Sequence, residues 1–143
     1  MAVQGSTIES PKIGQTIAFL VTARDTGGAE LVIQARMRLG AFIPPHRHLL
    51  QEETFEVLAG TGSFTVGARI IGRAGERVRV PTGVTHRFGN RSREEVLLPA
   101  RLRPALRTEE LFERLFRLGA QGKANKWGAP SPLTTARLIR GIP

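Results

Sequence analysis

Two of the three histidines in this chain stand two positions apart in Pro45-His46-Arg47-His48, and the third, His86, follows the tight run Pro81-Thr82-Gly83. Imidazole is the commonest nitrogen ligand for transition metals. On extended backbone, positions i and i+2 share one face about 6.6 Å apart along the strand. His46 and His48 can therefore reach one ion between them, with Arg47 directed the other way. Two glutamates follow, and the strand period chooses between them. Glu53 shares a face with Phe55 and Val57, whereas Glu52 shares one with Thr54 and Glu56. A lone carboxylate on an apolar face is costly to bury, and a divalent cation removes that cost. Glu53 is the ligand candidate. His86, with Phe88 and Asn90 on its own face, supplies the third imidazole. Three nitrogens and one oxygen suit one divalent transition metal ion, Fe, Mn, Ni, Co, Cu or Zn, and affinity order alone does not choose among them. The chain contains no cysteine, which excludes disulfides, thiolate catalysis and Cys-ligated zinc or iron–sulfur centres.

The elements that must carry these residues read as β. Thr16 to Ala23 is apolar and β-branched, Asp25-Thr26-Gly27-Gly28 signals a turn, and Glu30 to Leu39 alternates with Leu31, Ile33, Ala35, Met37 and Leu39 on one face. Further strands are expected at Thr54 to Leu58, Ser63 to Val66, Arg69 to Arg73, Glu76 to Val80, His86 to Phe88 and Glu95 to Leu102, with Gly67-Ala68 as a turn. Many short strands at close spacing favour a sandwich or barrel. Phe42, Phe55, Phe64 and Phe88 are expected in its core, with Phe55 and Phe88 as candidate walls of a substrate pocket. Gln34, Arg36 and Arg38 should face away from the interior, because the apolar set beside them takes it.

After Pro104 the character changes to helix. Thr108 is placed to cap a helix with Glu109 and Glu110 in its first turn, Leu111, Phe112, Leu115, Phe116 and Leu118 form its apolar stripe, and Gly119 is its expected stop. Ser131-Pro132 opens a second short helix with Leu133, Ala136 and Ile139 on one side. The long loop between them does not fit a helix-turn-helix, whose turn takes about three or four residues. Residues 1–104 are read as the β-barrel and 105–143 as a helical extension packed on it within the same domain. Trp127, in the Gly- and Pro-rich loop, reads as a packing anchor, with lining of the barrel mouth as the alternative.

The histidine spacings resemble the two motifs of the cupins, a jelly-roll class. The first motif is a Gly, five residues, His-x-His, a Glu and a further Gly, and Gly40, His46, His48, Glu53 and Gly60 meet it. The second is met by Gly75, Pro81, Gly83, His86 and Asn90. The spacing to Gly60 selects Glu53 again. The resemblance implies a mainly β cupin jelly-roll barrel with His46, His48, Glu53 and His86 as metal ligands, the glycines and Pro81 shaping turns, and Asn90 ending a strand. The opposite reading, the metal-free scaffold of the seed storage relatives, would have lost ligand types that are all present here.

A four-ligand site on a six-coordinate ion leaves open positions, which separates catalytic from structural metal sites. Three functions are compatible. One is dioxygenase-like oxygen chemistry on a chelating substrate, with Glu53 doubling as a base by resemblance to the quercetin-cleaving cupins. The second is Lewis-acid isomerase, cyclase or lyase chemistry on a small carbonyl compound. The third is a sensor that only binds a small ligand; such cupins usually come fused to a DNA-binding domain, and no stretch here fits one. A metal-dependent oxidoreductase is the leading expectation. The resemblance also implies a homodimer.

Length and composition bound the rest. A chain of 143 residues is long enough to bury one core. The formal charge of +9 comes from arginines scattered from Arg24 to Arg140 and interleaved with glutamate, a basic surface rather than a nucleic-acid footprint. The longest purely apolar stretch, Ile17 to Val21, is too short to cross a bilayer, and the first residues lack the pattern of a secretory signal. A cytoplasmic protein with no membrane or nucleic-acid partner is expected.

Overall fold

A computed structural model describes residues 2–12 and 14–120. Among them ten strands and one α-helix follow in order: β1 Thr7–Ser10, β2 Gln15–Val21, β3 Leu31–Met37, β4 Phe42–His46, β5 Glu52–Glu56, β6 Thr61–Val66, β7 Ala68–Arg73, β8 Arg77–Val80, β9 His86–Gly89, β10 Val96–Arg103 and α1 Thr108–Ala120. They form a six-stranded sheet in the order β1-β2-β3-β10-β5-β8 and a four-stranded sheet in the order β4-β9-β6-β7, antiparallel throughout. This is the architecture of a jelly-roll barrel.

The sequence alternation is what makes the two sheets face each other. In β3, Leu31, Ile33, Ala35 and Met37 are buried while Val32, Gln34 and Arg36 are not. β10 repeats the pattern with Val96, Leu98, Ala100 and Leu102. The smaller sheet contributes Phe64 and Phe88, which pack against each other with ring centroids 4.5 Å apart and against Phe55 of the larger sheet at 5.5 and 6.5 Å. Two glycines make room for these rings. A Cβ at Gly62 would stand 2.5 Å from Phe88 Cε2, and one at Gly72 would stand 2.7 Å from Phe64 Cε2.

Several local expectations need correction. Leu39 is 57% exposed, because β3 ends at Met37 and Leu39 belongs to the turn leading through Gly40. Phe42 is only half-buried, since its register against Gly89 sets it on the outer side of the smaller sheet while Ile43, opposite Phe88, packs toward the core. Thr108 belongs to α1 itself, and its hydroxyl receives the side-chain amide of Gln51 at 2.9 Å. α1 continues past Gly119, which is buried beside Ser10, as far as Ala120. β1 has no counterpart among the expected strands.

α1 lies against β1 with Phe116 buried and Phe112 and Leu115 packed on the same core. The expected second helix from Ser131-Pro132 and the Trp127 loop lie outside the described residues. Among the described residues no helix is long and apolar enough to cross a membrane.

Candidate metal centre

The four side chains singled out by spacing come from both sheets and the loop between them. His46 ends β4 and is the direct register partner of His86, the first residue of β9. Glu53 reaches in from β5 of the larger sheet, between Leu102 of β10 and Val80 of β8. His48 lies beyond the end of β4, so its placement differs from the extended His-x-His expected from the sequence. It is held by the Pro81-Thr82-Gly83 turn instead: the Gly83 amide donates to the His48 carbonyl at 2.7 Å. Gly83 turns with φ +80°, a conformation that costs little only for glycine. One hydrogen bond thus ties the two motifs together.

The imidazoles crowd around one point. Ring centroids are 5.1 Å apart for His46 and His48, 4.2 Å for His46 and His86, and 5.2 Å for His48 and His86. One carboxylate oxygen, Glu53 Oε2, lies 3.1 Å from His48 Nε2 and 3.3 Å from His86 Nε2. One ligating atom from each of the four residues can be chosen so that all lie within 4.8 Å of one another. Donors around a single ion bound at about 2.0–2.2 Å must stand roughly 3–4 Å apart, so the set fits with small side-chain adjustments.

The tautomers are prepared by backbone. His46 Nδ1–H donates to the Pro44 carbonyl at 2.8 Å, and His86 Nδ1–H donates to the Val84 carbonyl at 2.9 Å. A carbonyl oxygen can only accept, so each Nδ1 carries the proton and each Nε2 is left for the centre. Such outer hydrogen bonds orient metal-binding imidazoles and raise their basicity. Both acceptors sit two residues before the histidine.

The electrostatics favour a cation. Burial pushes the Glu53 carboxyl up, but hydrogen bonds from His48 and His86 outweigh it and hold the pKa at about 2. The side chain is 7% exposed, so an ionised carboxylate is being kept in the interior. For His86, burial lowers the pKa, yet the Glu53 and Val84 hydrogen bonds raise it further and prevail. His46 is lowered, chiefly by burial. The donor set, its tautomers and its net charge all suit a divalent transition metal.

Phe55 and Phe88, the next inward positions after Glu53 and His86 on their strands, are 7% and 3% exposed and pack with Phe64 as an aromatic floor. Leu49 and Leu50, just after His48, are exposed. Gln51 then turns the chain back inside. It is buried, and its side-chain amide reaches the Pro104 carbonyl at 2.7 Å, the Ala105 carbonyl at 3.2 Å and the Thr108 hydroxyl at 2.9 Å. This anchor of the loop carrying His48 was not singled out from sequence; its only signal is a polar residue flanked by the parity of Glu53. Asn90 is also buried. It donates to the Met37 and Glu94 carbonyls and accepts from Ser92, closing the turn after β9.

Comparison with known proteins bears on the fold. No curated protein sequence matches the chain. Solved structures of similar fold include the cupin domain of Cnp3 from Schizosaccharomyces pombe, with TM-score 0.60 and 20% identity, covering 76% of this chain and 74% of that one. A predicted oxalate decarboxylase from Thermotoga maritima has TM-score 0.60 and 21% identity, covering 63% and 80%. The polyketide cyclase RemF from Streptomyces resistomycificus has TM-score 0.57 and 19% identity, covering 63% and 65%. At these identities the likeness is one of fold. The sequence model of the cupin domain matches residues 34–99. That span contains His46, His48, Glu53 and His86 together with β4, β5 and β9, which position them, and over it the chain is similar to the cupin domain.

Proposed function

We propose that this chain is a metal-dependent cupin enzyme acting on a small organic molecule, with dioxygenase-like oxidation as its reaction class. The observation that carries the reading is the convergence of His46, His48, Glu53 and His86 with the His46 and His86 tautomers already set for ligation. A divalent transition metal held there supplies Lewis acidity and, where it is redox-active, electron transfer with oxygen.

The choice of reaction class rests on the inventory of titratable groups. Among the described residues the buried ones are Glu53 and His86 alone, and both belong to the ligand set. Isomerase, cyclase or lyase chemistry that both removes and returns protons on the substrate calls for a second acid or base beside Glu53. The packed floor of Phe55, Phe64 and Phe88 offers none. Oxidation of a substrate that arrives as, or readily becomes, an enolate needs one base, a role open to Glu53. Oxalate oxidase, crystallised with glycolate, and RemF are similar in fold, which makes both classes available to this scaffold. A cupin that only senses a ligand is the remaining alternative.

The test is metal analysis followed by oxygen uptake. Protein purified without chelators or metal-affinity tags should carry about one transition metal per chain. Loaded with Fe, Mn, Ni or Cu, it should consume oxygen with members of a panel of enolisable and catecholic compounds. Turnover retained with zinc under anaerobic conditions would overturn the oxidative reading. A homodimer is part of the same proposal, supported by the outward, partly exposed strip of Ala18, Leu20, Val32 and Pro99 on the six-stranded sheet. A monomer in light scattering would remove it.

A further inference from the structure

We infer that the outer face of the four-stranded sheet carries a second binding site, a cleft for a small oxyanion bounded by Arg87 and Arg91. It is separate from the metal centre and does not depend on the function proposed above. Strand alternation builds it. His86 and Phe88 point inward from β9, so Arg87 and Gly89 take the outer face, and Arg91 follows just beyond the strand. Gly89 leaves a gap between two guanidinium side chains. Across that gap the register sets Ser63 of β6 on one side and Phe42 of β4 on the other, with Thr65 opposite Arg87.

The cleft so formed measures about 60 Å³ and is lined by these residues with Phe88 beneath. A cavity of that size holds about four waters, enough for one carboxylate or tetrahedral oxyanion. Its lining contains two arginines and two hydroxyls and no carboxylate. Arg87 Nε–H donates to Thr65 Oγ1 at 3.2 Å, which engages Nε and leaves the terminal NH₂ groups for a ligand. Six arginines elsewhere are paired with glutamate, Arg36 with Glu95, Arg79 with Glu52, Arg101 and Arg103 with Glu30, and Arg107 and Arg114 with Glu110, while others among the described residues, such as Arg77 and Arg93, stand without such a pair but also without a neighbouring arginine across a cleft. Among the described residues no such pair engages Arg87 or Arg91. The planar fork of guanidinium matches two oxygens on one centre, so the ligand is an oxyanion of phosphate or carboxylate type. Phe42 adds an apolar wall.

The experiment is a pair of ¹⁵N NMR titrations of the full chain at constant ionic strength, one with inorganic phosphate and one with acetate. Saturable shifts at the amides of Ser63, Gly89 and Arg91 are expected with at least one of them, and the stronger binder identifies the oxyanion class. Arg87→Gln and Arg91→Gln should each weaken binding about ten-fold, as loss of a charge-assisted hydrogen bond implies. Arg77→Gln, an exposed arginine on the other sheet, should leave it unchanged. Gly89→Val should close the cleft, with a thermal melt checking that the fold survives; the arginine variants decide the question if it does not. Three results would each overturn the site: no saturable shift with either anion, shifts centred on the amides around His46, His48 and Glu53, or equal weakening by Arg77→Gln.

Discussion

Removing the carboxylate of Glu53 tests the centre most directly, because Glu52 beside it provides an internal control one residue away. Glu53 is buried and lies 3.1 and 3.3 Å from two imidazole nitrogens, whereas Glu52 is on the surface and pairs with Arg79 at 2.7 Å. Two quantities follow. Loss of an outer hydrogen-bond partner of a metal ligand costs 10–100-fold in affinity, so loss of a ligand itself should cost about 100-fold or more. In metal-free protein, the Glu53 pKa held at about 2 against an ordinary 4.5 corresponds to roughly 3 kcal/mol of stability near pH 5.5. Glu53→Ala should lose both. Glu52→Ala should change neither beyond experimental scatter. The assays are competition with a chromophoric chelator for the metal and urea denaturation of chelator-treated protein. Equal effects of the two substitutions, or a Glu53→Ala affinity within three-fold of wild type, would refute the assignment of Glu53 by strand parity.

Other outcomes are open to measurement. Imidazole must be neutral to ligate, so metal content should fall as pH drops below about 6, read by elemental analysis after dialysis; metal fully retained at pH 4 would point to a different site. In metal-free protein the sign differs for each partner. The lowered Glu53 pKa contributes stability that is present above 4.5 and lost as pH falls toward about 2, and the raised His86 pKa contributes stability that is complete below 6.5 and lost as pH rises through the folded value. The contact should therefore stabilise most between those pH values, seen as a maximum in the difference between wild type and Glu53→Ala. Gln51→Ala should cost about 1–3 kcal/mol in urea denaturation, because the Pro104 and Ala105 carbonyls lose a buried donor. Gly62→Ala should cost a similar 1–3 kcal/mol, roughly the price of overpacking, by driving a methyl into the Phe88 ring. A melting temperature unchanged in Gly62→Ala would mean that the aromatic floor is not close-packed.

The sequence by itself named the four candidate ligands, His46, His48, Glu53 and His86. Three histidines, no cysteine and one glutamate on an apolar strand face left little choice, and the period of two separated Glu53 from Glu52 before any coordinates were needed. It also determined which faces of β3 and β5 are interior, since alternation is a local property. It did not determine why His48 joins the cluster. The pleat that would have carried it ends at His46, and the Gly83 amide, far away in sequence, holds its backbone instead. Phe42 looked like core by composition and lies outside by register, because hydrophobicity alone does not say which of two sheet faces a residue takes. The anchoring role of Gln51 needs the carbonyls after β10, and the Arg87–Gly89–Arg91 cleft needs β4 and β6 on either side of β9. Each of these rests on strand pairing or contact between segments distant in the chain. Local periodicity names the residues that can act, and only tertiary pairing decides which of them meet.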